Sequence, residues 1–242
     1  MSKDRSSPIN LIQYLRQNTH HSRRDILSFI MAGDVDVDGA PVYDANVAVL
    51  AQQQIYLRGS LVLPQPFSTY MFHKPVGTLS TMDDPSNRRS LRTHLNTAKL
   101  PHTLKPCGRL DKDSSGLLLF SNDGHFINTI LHPSFHVPKT YRVALSTPLT
   151  DDHKRQLSSG IFLDDGPVSL TFQDTFTNQD FIVEISIGRN RIIRRAFEYF
   201  GHTLTTLHRL SIGPFQLNQL KPGRFSPISM PDIHAFYATF SP

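Results

Sequence analysis

The chain has 242 residues, a formal charge of +5, one cysteine and no tryptophan. That length allows one large domain, or one middling domain plus a small one, with room for a proper apolar core. The single Cys107 excludes an intramolecular disulfide and a cysteine-rich metal site, and no run approaches the roughly 20 apolar residues of a membrane helix. The amino terminus MSKDRSSPIN has no apolar signal region, so the expected location is cytoplasmic and off the membrane. The positive charge favours a polyanionic partner.

In chain order, INLIQYLRQN carries Ile9, Leu11, Ile12 and Leu15 close to a helical repeat. Ser22 stands where a cap opens a second helix with Ile26, Leu27 and Ile30 on one face, ending at Gly33. DVDVDG then alternates valine with aspartate and closes in an Asp-Gly turn, the pattern of a half-exposed strand. Residues 1–58 thus read as a compact module, and 59–69, with Pro64 and Pro66, as a linker. Within the module the charge is segregated: Arg16, Arg23 and Arg24 precede Asp34, Asp36, Asp38 and Asp44. From residue 70 to 242 strands alternate with helices. YRVAL and FIVEISI have period two, LLLF reads as a strand buried on both faces, and Asn122 or Asp123 caps a helix running to about Leu131. Ile192, Ile193, Ala196, Phe197 and Phe200 share a helical face that Gly201 terminates. This second part is an α+β domain with a mixed sheet.

Missing motifs narrow the chemistry. There is no GxxxxGK[ST], GxGxxG or GxSxG, so no nucleotide cofactor or common serine-hydrolase site is signalled. His132 and His136 have a spacing that grips zinc on a helix, but Pro133 between them spoils that geometry and leaves loop histidines. The remaining feature is PCGRLDKDSSGLLLFSNDG, Pro106 to Gly124, in which Asp111 stands with no metal ligand, nucleophile or phosphate cradle nearby.

That stretch resembles the signature of pseudouridine synthases, specifically the rRNA-modifying branch typified by the RsuA enzyme. Three further elements of the family's pattern follow in order: HKPVG (His73 to Gly77), KTYRV (Lys139 to Val143) and GRNRIIRRAF (Gly188 to Phe197), the last followed by LHRLSIGPF (Leu207 to Phe215). SRRDILSFIMAGDVDVDG, Ser22 to Gly39, resembles the small RNA-binding domain of this branch, also found in a ribosomal small-subunit protein. The resemblance implies the pseudouridine synthase fold, with a mostly antiparallel sheet, behind a small α/β RNA-binding domain. It implies isomerisation of a uridine in ribosomal RNA or a pre-ribosomal particle, by a monomer needing no cofactor or metal. The same fold as a non-catalytic ribosome-assembly factor, or a synthase acting on tRNA or mRNA, are the rival readings.

Converting uridine to pseudouridine breaks a carbon–nitrogen glycosidic bond, turns the uracil over and rejoins it through a ring carbon, with nothing added or lost. Such a reaction needs one carboxylate in a dry pocket, whereas a glycosidase uses two carboxylates to bring in water. By the resemblance Asp111 is that carboxylate, Arg194 its buried counter-charge, and Tyr141 the ring lying against the target base. Ile185 closes the pocket, and Arg109 and Lys139 orient it or bind phosphate. Arg23, Arg24, Arg189, Arg191 and Arg195 are the candidates for RNA contact, recovering the cost of extruding a base. The chain departs from the pattern at Ile192, where glutamine is usual, at Ile187, where an acid is common, and at His73, which replaces asparagine. Its opening also lacks the Arg-Leu-x-Lys common in the family.

Overall fold

The computed structural model describes residues 8–50, 52–84, 86 and 88–240. The chain divides into two compact units, one reaching to Phe67 and including Pro101–Leu104, the other formed by Ser68–Leu100 and the chain from Lys105 onward.

In the first unit, strand β1 (Ile9–Asn10) leads into helix α1 (Leu11–Asn18), whose first turn is capped by Asn10 accepting the Ile12 N–H at 3.0 Å. Helix α2 (Arg23–Met31) opens on a capping box: Asp25 N–H donates to Ser22 Oγ at 3.2 Å, and Ser22 N–H donates to the Asp25 carboxylate at 3.0 Å. Strands β2 (Val35–Val37) and β3 (Ala40–Pro41) form a hairpin turning at Asp38 and Gly39, with φ of 53° and 83°. Strand β4 (Ala48–Val49) pairs with β1, while β5 (Ile55–Leu57) and β6 (Ser60–Leu61) complete a four-stranded sheet in the order β3-β2-β5-β6. Leu11, Leu15, Ile26, Ile30, Val35 and Ile55 are fully buried between helices and sheet. The stretch read as linker from residue 59 differs at its start. Ser60–Leu61 pairs with β5, and buried Val62 accepts the Tyr14 hydroxyl hydrogen at 2.9 Å. Strands this short carry no periodicity, and their hydrogen bonds tie them to the module.

The second unit runs β7 (Thr69–Lys74), α3 (Leu91–Thr97), β8 (Lys105–Pro106), β9 (Ser115–Ser121), α4 (Gly124–Leu131), β10 (Lys139–Leu145) and α5 (Asp151–Ser159). It continues with β11 (Ile161–Leu163), β12 (Gly166–Val168), β13 (Thr171–Thr177), β14 (Asp180–Ile185), α6 (Ile192–Glu198), β15 (Leu204–Ile212), β16 (Phe215–Gln216), β17 (Phe225–Pro227) and α7 (Met230–Phe240). One sheet has the path β13-β14-β10-β15-β9-β7-β17, with β16 on β15 and β8 on β9. It is antiparallel throughout except where β9 runs parallel to β15, pairing Ser115 with His208 and Gly116 with Arg209. The fold is therefore α+β with a mixed, mostly antiparallel sheet.

Period-two burial explains the apolar run LLLF. Leu117 and Leu119 pack into a core with Phe126 and Ile130 of α4 and Ile233 and Phe236 of α7, while Phe120 meets Phe72 edge-on at 5.8 Å, with Phe225 stacked on Phe72 at 4.4 Å. A second core joins Val143, Phe181 and Val183 of the sheet to Ile193, Ala196 and Phe197 of α6. Asp123 caps α4 through the His125 N–H at 2.8 Å. His132, in extended backbone at the end of that helix, caps the 3₁₀ turn Pro133–Phe135.

Candidate active site

The loop 108–114, between β8 and β9, carries Asp111, and its backbone is held at successive residues. Ser80 Oγ donates to the Leu110 carbonyl at 2.5 Å and accepts the Leu110 N–H at 3.1 Å, while the Gly77 N–H donates to the Lys112 carbonyl at 2.7 Å. Lys74, fully buried at the end of β7, donates through Nζ to the carbonyls of Asp111 at 2.9 Å, Ser114 at 2.8 Å and Pro75 at 3.3 Å. Burial pulls the Lys74 pKa down to about 8, against the opposing pull of Asp111 and Asp113. The HKPVG segment thus serves as an anchor for the aspartate loop.

Helix α6 delivers two guanidinium groups to the anchored carboxylate. Arg191 is its N-cap, in the left-handed region at φ 46°, and Arg194 lies three residues on, the spacing that shares a helical face. Arg191 Nη1 is 3.5 Å and Arg194 Nε 3.9 Å from the same Asp111 oxygen, Oδ2. Arg194 also approaches Asp113 at 3.2 Å and donates to Ser114 Oγ at 3.1 Å. The Asp111 side chain is 26% exposed and that of Arg194 only 7%, so the carboxylate keeps an open side and its partner does not. Arg191 Nη2, rather than Arg194, faces Glu198, at 3.9 Å.

Tyr141 lies on β10 opposite Arg209 of β15, which in turn is opposite Gly116 of β9. Three neighbouring strands therefore link the tyrosine to the strand into which the Asp111 loop runs. Gly116 is required there: its φ is +109°, and a Cβ would fall 2.2 Å from the Arg209 carbonyl oxygen. Arg209 Nη1 donates to the Tyr141 hydroxyl oxygen at 3.2 Å. Leu110, Tyr141, Ile185 and Ile192 belong to one apolar cluster, with Ile187 packed against it. The departure at Ile192 thus places an apolar side chain where it is buried.

The other expected residues are distributed unevenly. Lys139 donates to the Val137 carbonyl at 2.8 Å, and burial, reinforced by Arg209, lowers its pKa to about 8. Arg189 and Arg195, read as RNA contacts, both hold Asp165 in the β11–β12 turn: Arg189 Nη1 at 2.8 Å and Arg195 Nη2 at 2.7 Å. Arg191, read with them, sits at Asp111 instead. Arg109 is exposed and makes no ion pair among the described residues, and Arg23 and Arg24 are exposed on the first unit. No group of three or more metal-ligating side chains occurs among the described residues. Lys74 and Arg209 escape single-sequence reading, since each is the one Lys or Arg of a strand of mixed polarity. Their only signal is membership of the HKPVG and LHRLSIGPF segments.

Three comparisons bear on this geometry. The family model described as RNA pseudouridylate synthase matches residues 68–199, which include Asp111, Tyr141 and Arg194. The chain is 29% identical over 230 residues to an uncharacterized RNA pseudouridine synthase of Aquifex aeolicus, covering 93% of this chain and 94% of that one. It is 32% identical over 208 residues to the ribosomal large subunit pseudouridine synthase B of Bacillus subtilis, covering 84% of each. A crystal structure of a pseudouridylate synthase superposes with a TM-score of 0.67 at 26% identity, over 93% of this chain and 97% of that one.

Proposed function

Since the chain belongs to the RNA pseudouridylate synthase family, we propose that the uridine it isomerises lies in ribosomal RNA and that Asp111 is its one catalytic carboxylate. The observation that carries this reading is the convergence of Arg191 and Arg194 on one oxygen of Asp111, above a loop fixed by the buried Lys74. Asp113, the other acid of the loop, is spent on Arg194 and stands more exposed, at 55%.

In the reaction the bond between C1′ and N1 breaks, the uracil rotates, and a new bond forms between C1′ and C5. The proton on C5 leaves and N1 gains one, so the atoms balance without water. Asp111 acts at the reacting bond. Its two guanidinium neighbours supply fixed positive charge beside an open carboxylate, preorganised before the base arrives. Tyr141, on the apolar floor made with Leu110 and Ile185, offers a ring face to the base and a hydroxyl for the C5 proton. Water kept from that floor cannot capture the separated sugar and base.

Ribosomal RNA is favoured by the name of the Bacillus relative and by the basic helix start at Arg23 and Arg24 in the first unit. The test is a pseudouridine map of ribosomal RNA from cells lacking the gene, repeated with the wild-type gene restored. Loss of one or a few rRNA sites, regained on restoration, is expected. An unchanged rRNA map with sites missing from tRNA or mRNA overturns the substrate assignment.

A further inference from the structure

Arg209 lies beyond the residues matched by the family model and is only 4% exposed. Its side chain bridges two strands: Nε donates to the Leu117 carbonyl of β9 at 2.6 Å, and Nη1 to the Tyr141 hydroxyl of β10 at 3.2 Å, with the guanidinium 5.8 Å from that ring's centre. No carboxylate pairs with it among the described residues, and its buried Nη2 has no hydrogen-bond partner. A buried guanidinium without a counter-charge is costly, and an apolar side chain of similar volume would pack the sheet at lower cost. The backbone is also arranged around this residue. Gly116 gives up its side chain so that Arg209 can pass, and a register shift opposite Thr140 and Tyr141, where the pairing skips Leu210 of β15, sets the tyrosine, rather than its neighbour, opposite Arg209.

We propose that Arg209 is a positioning residue for the isomerisation, its forked guanidinium fixing the Tyr141 hydroxyl relative to the strand that continues from the Asp111 loop. The inference rests on the reading of Tyr141 given above. Because the guanidinium only donates, the Tyr141 oxygen is the acceptor in that bond and its own hydrogen is directed elsewhere, away from Arg209. One side chain thereby sets both the place of the phenol and the direction of its proton. A lysine, a point charge on a flexible stem, cannot hold Leu117 and Tyr141 at once with the same geometry.

The test is a double-mutant cycle on the full chain, acting on total RNA from cells lacking the gene and read as pseudouridine formed with time, so that the RNA class is not presumed. Arg209→Met and Arg209→Lys are each made alone and with Tyr141→Phe, and thermal midpoints are recorded. The expected result is a fall in kcat of about 10- to 100-fold for either Arg209 variant, with KM changed less than about threefold. In the Tyr141→Phe background the same substitution costs less than about twofold more. Losses that multiply overturn the inference and leave the role of Tyr141 standing. If Tyr141→Phe keeps full activity, the reading of Tyr141 fails and takes the inference with it. Should Arg209→Met fail to fold, Arg209→Lys decides: wild-type kcat in that variant overturns the proposal.

Discussion

Arg191 and Arg194 face one carboxylate from the same helix, yet the same substitution at each has different consequences. Arg194 is buried and touches Asp113 and Ser114 as well as Asp111, so Arg194→Met takes the buried cation from two acids and leaves them only the more exposed Arg191, at 3.5 and 3.9 Å. Loss of activity of at least about 100-fold is expected, together with about 1–2 kcal/mol of stability, discounted because both acids are partly solvated. Arg191→Met, at a side chain 40% exposed, is expected to lower activity with a stability change within about 0.5 kcal/mol. Urea denaturation and turnover measured on the same two variants check the contrast. Asp111, Tyr141 and Arg194 stand out as candidates because the motifs that carry them are long, and of these Asp111 and Arg194 meet at 3.9 Å. A string of arginines in a sequence does not say which of them stands beside the carboxylate, and Arg191, an expected RNA contact, lies 3.5 Å from Asp111 while staying 40% exposed. Arg189 and Arg195 met Asp165, from a hairpin more than 20 residues earlier, a pairing no local pattern contains.

Among the elements, β9 shows how far periodicity goes. LLLF reads at once as a strand buried on both faces, and it is one. Its parallel partner β15, more than 90 residues later, is fixed by tertiary contacts that one sequence does not display. The cost of that pairing falls on glycine. Gly116→Ala puts a Cβ 2.2 Å from the Arg209 carbonyl oxygen at φ +109°, and since the Cβ is fixed rigidly to one strand and the oxygen belongs to the backbone of the other, the strands must separate. A loss of about 3 kcal/mol or more is expected. Gly77→Ala is the control, with φ +85° and nothing within 4 Å. It is expected to cost only about 1 kcal/mol of backbone strain. Thermal melts of the two variants separate close packing from conformation. The short strands of the first unit are illegible for the opposite reason: two-residue elements such as β6 have no period, and Val62, inside the stretch expected to be linker, packs in that unit's core.

At the scale of the whole molecule, charge supplies the remaining tests. Lys139 loses its proton near pH 8 in the folded chain, because burial disfavours the ammonium, whereas its ordinary value is 10.5. Between about pH 8 and 10.5 the unfolded chain therefore binds a proton that the folded chain has released. Stability contributed by this group rises with pH across that window and is flat below it. The difference in unfolding free energy between wild type and Lys139→Met should move in favour of wild type from about pH 7.5 to about pH 9.5. No change in that difference sinks the assignment of the pKa to burial. For the basic helix start of the first unit, Arg23→Ala with Arg24→Ala is expected to weaken ribosomal RNA binding and to lower the log–log salt slope by about 2, measured by filter binding at several salt concentrations.

The most direct measurement is the time course of pseudouridine formation by purified Asp111→Asn beside wild type, on ribosomal RNA from cells lacking the gene, with RNA binding measured in parallel. The swap keeps the side chain's shape and removes its charge. The account predicts conversion by wild type and none by the variant, with affinities within about threefold of each other. Conversion by Asp111→Asn at the wild-type rate contradicts it.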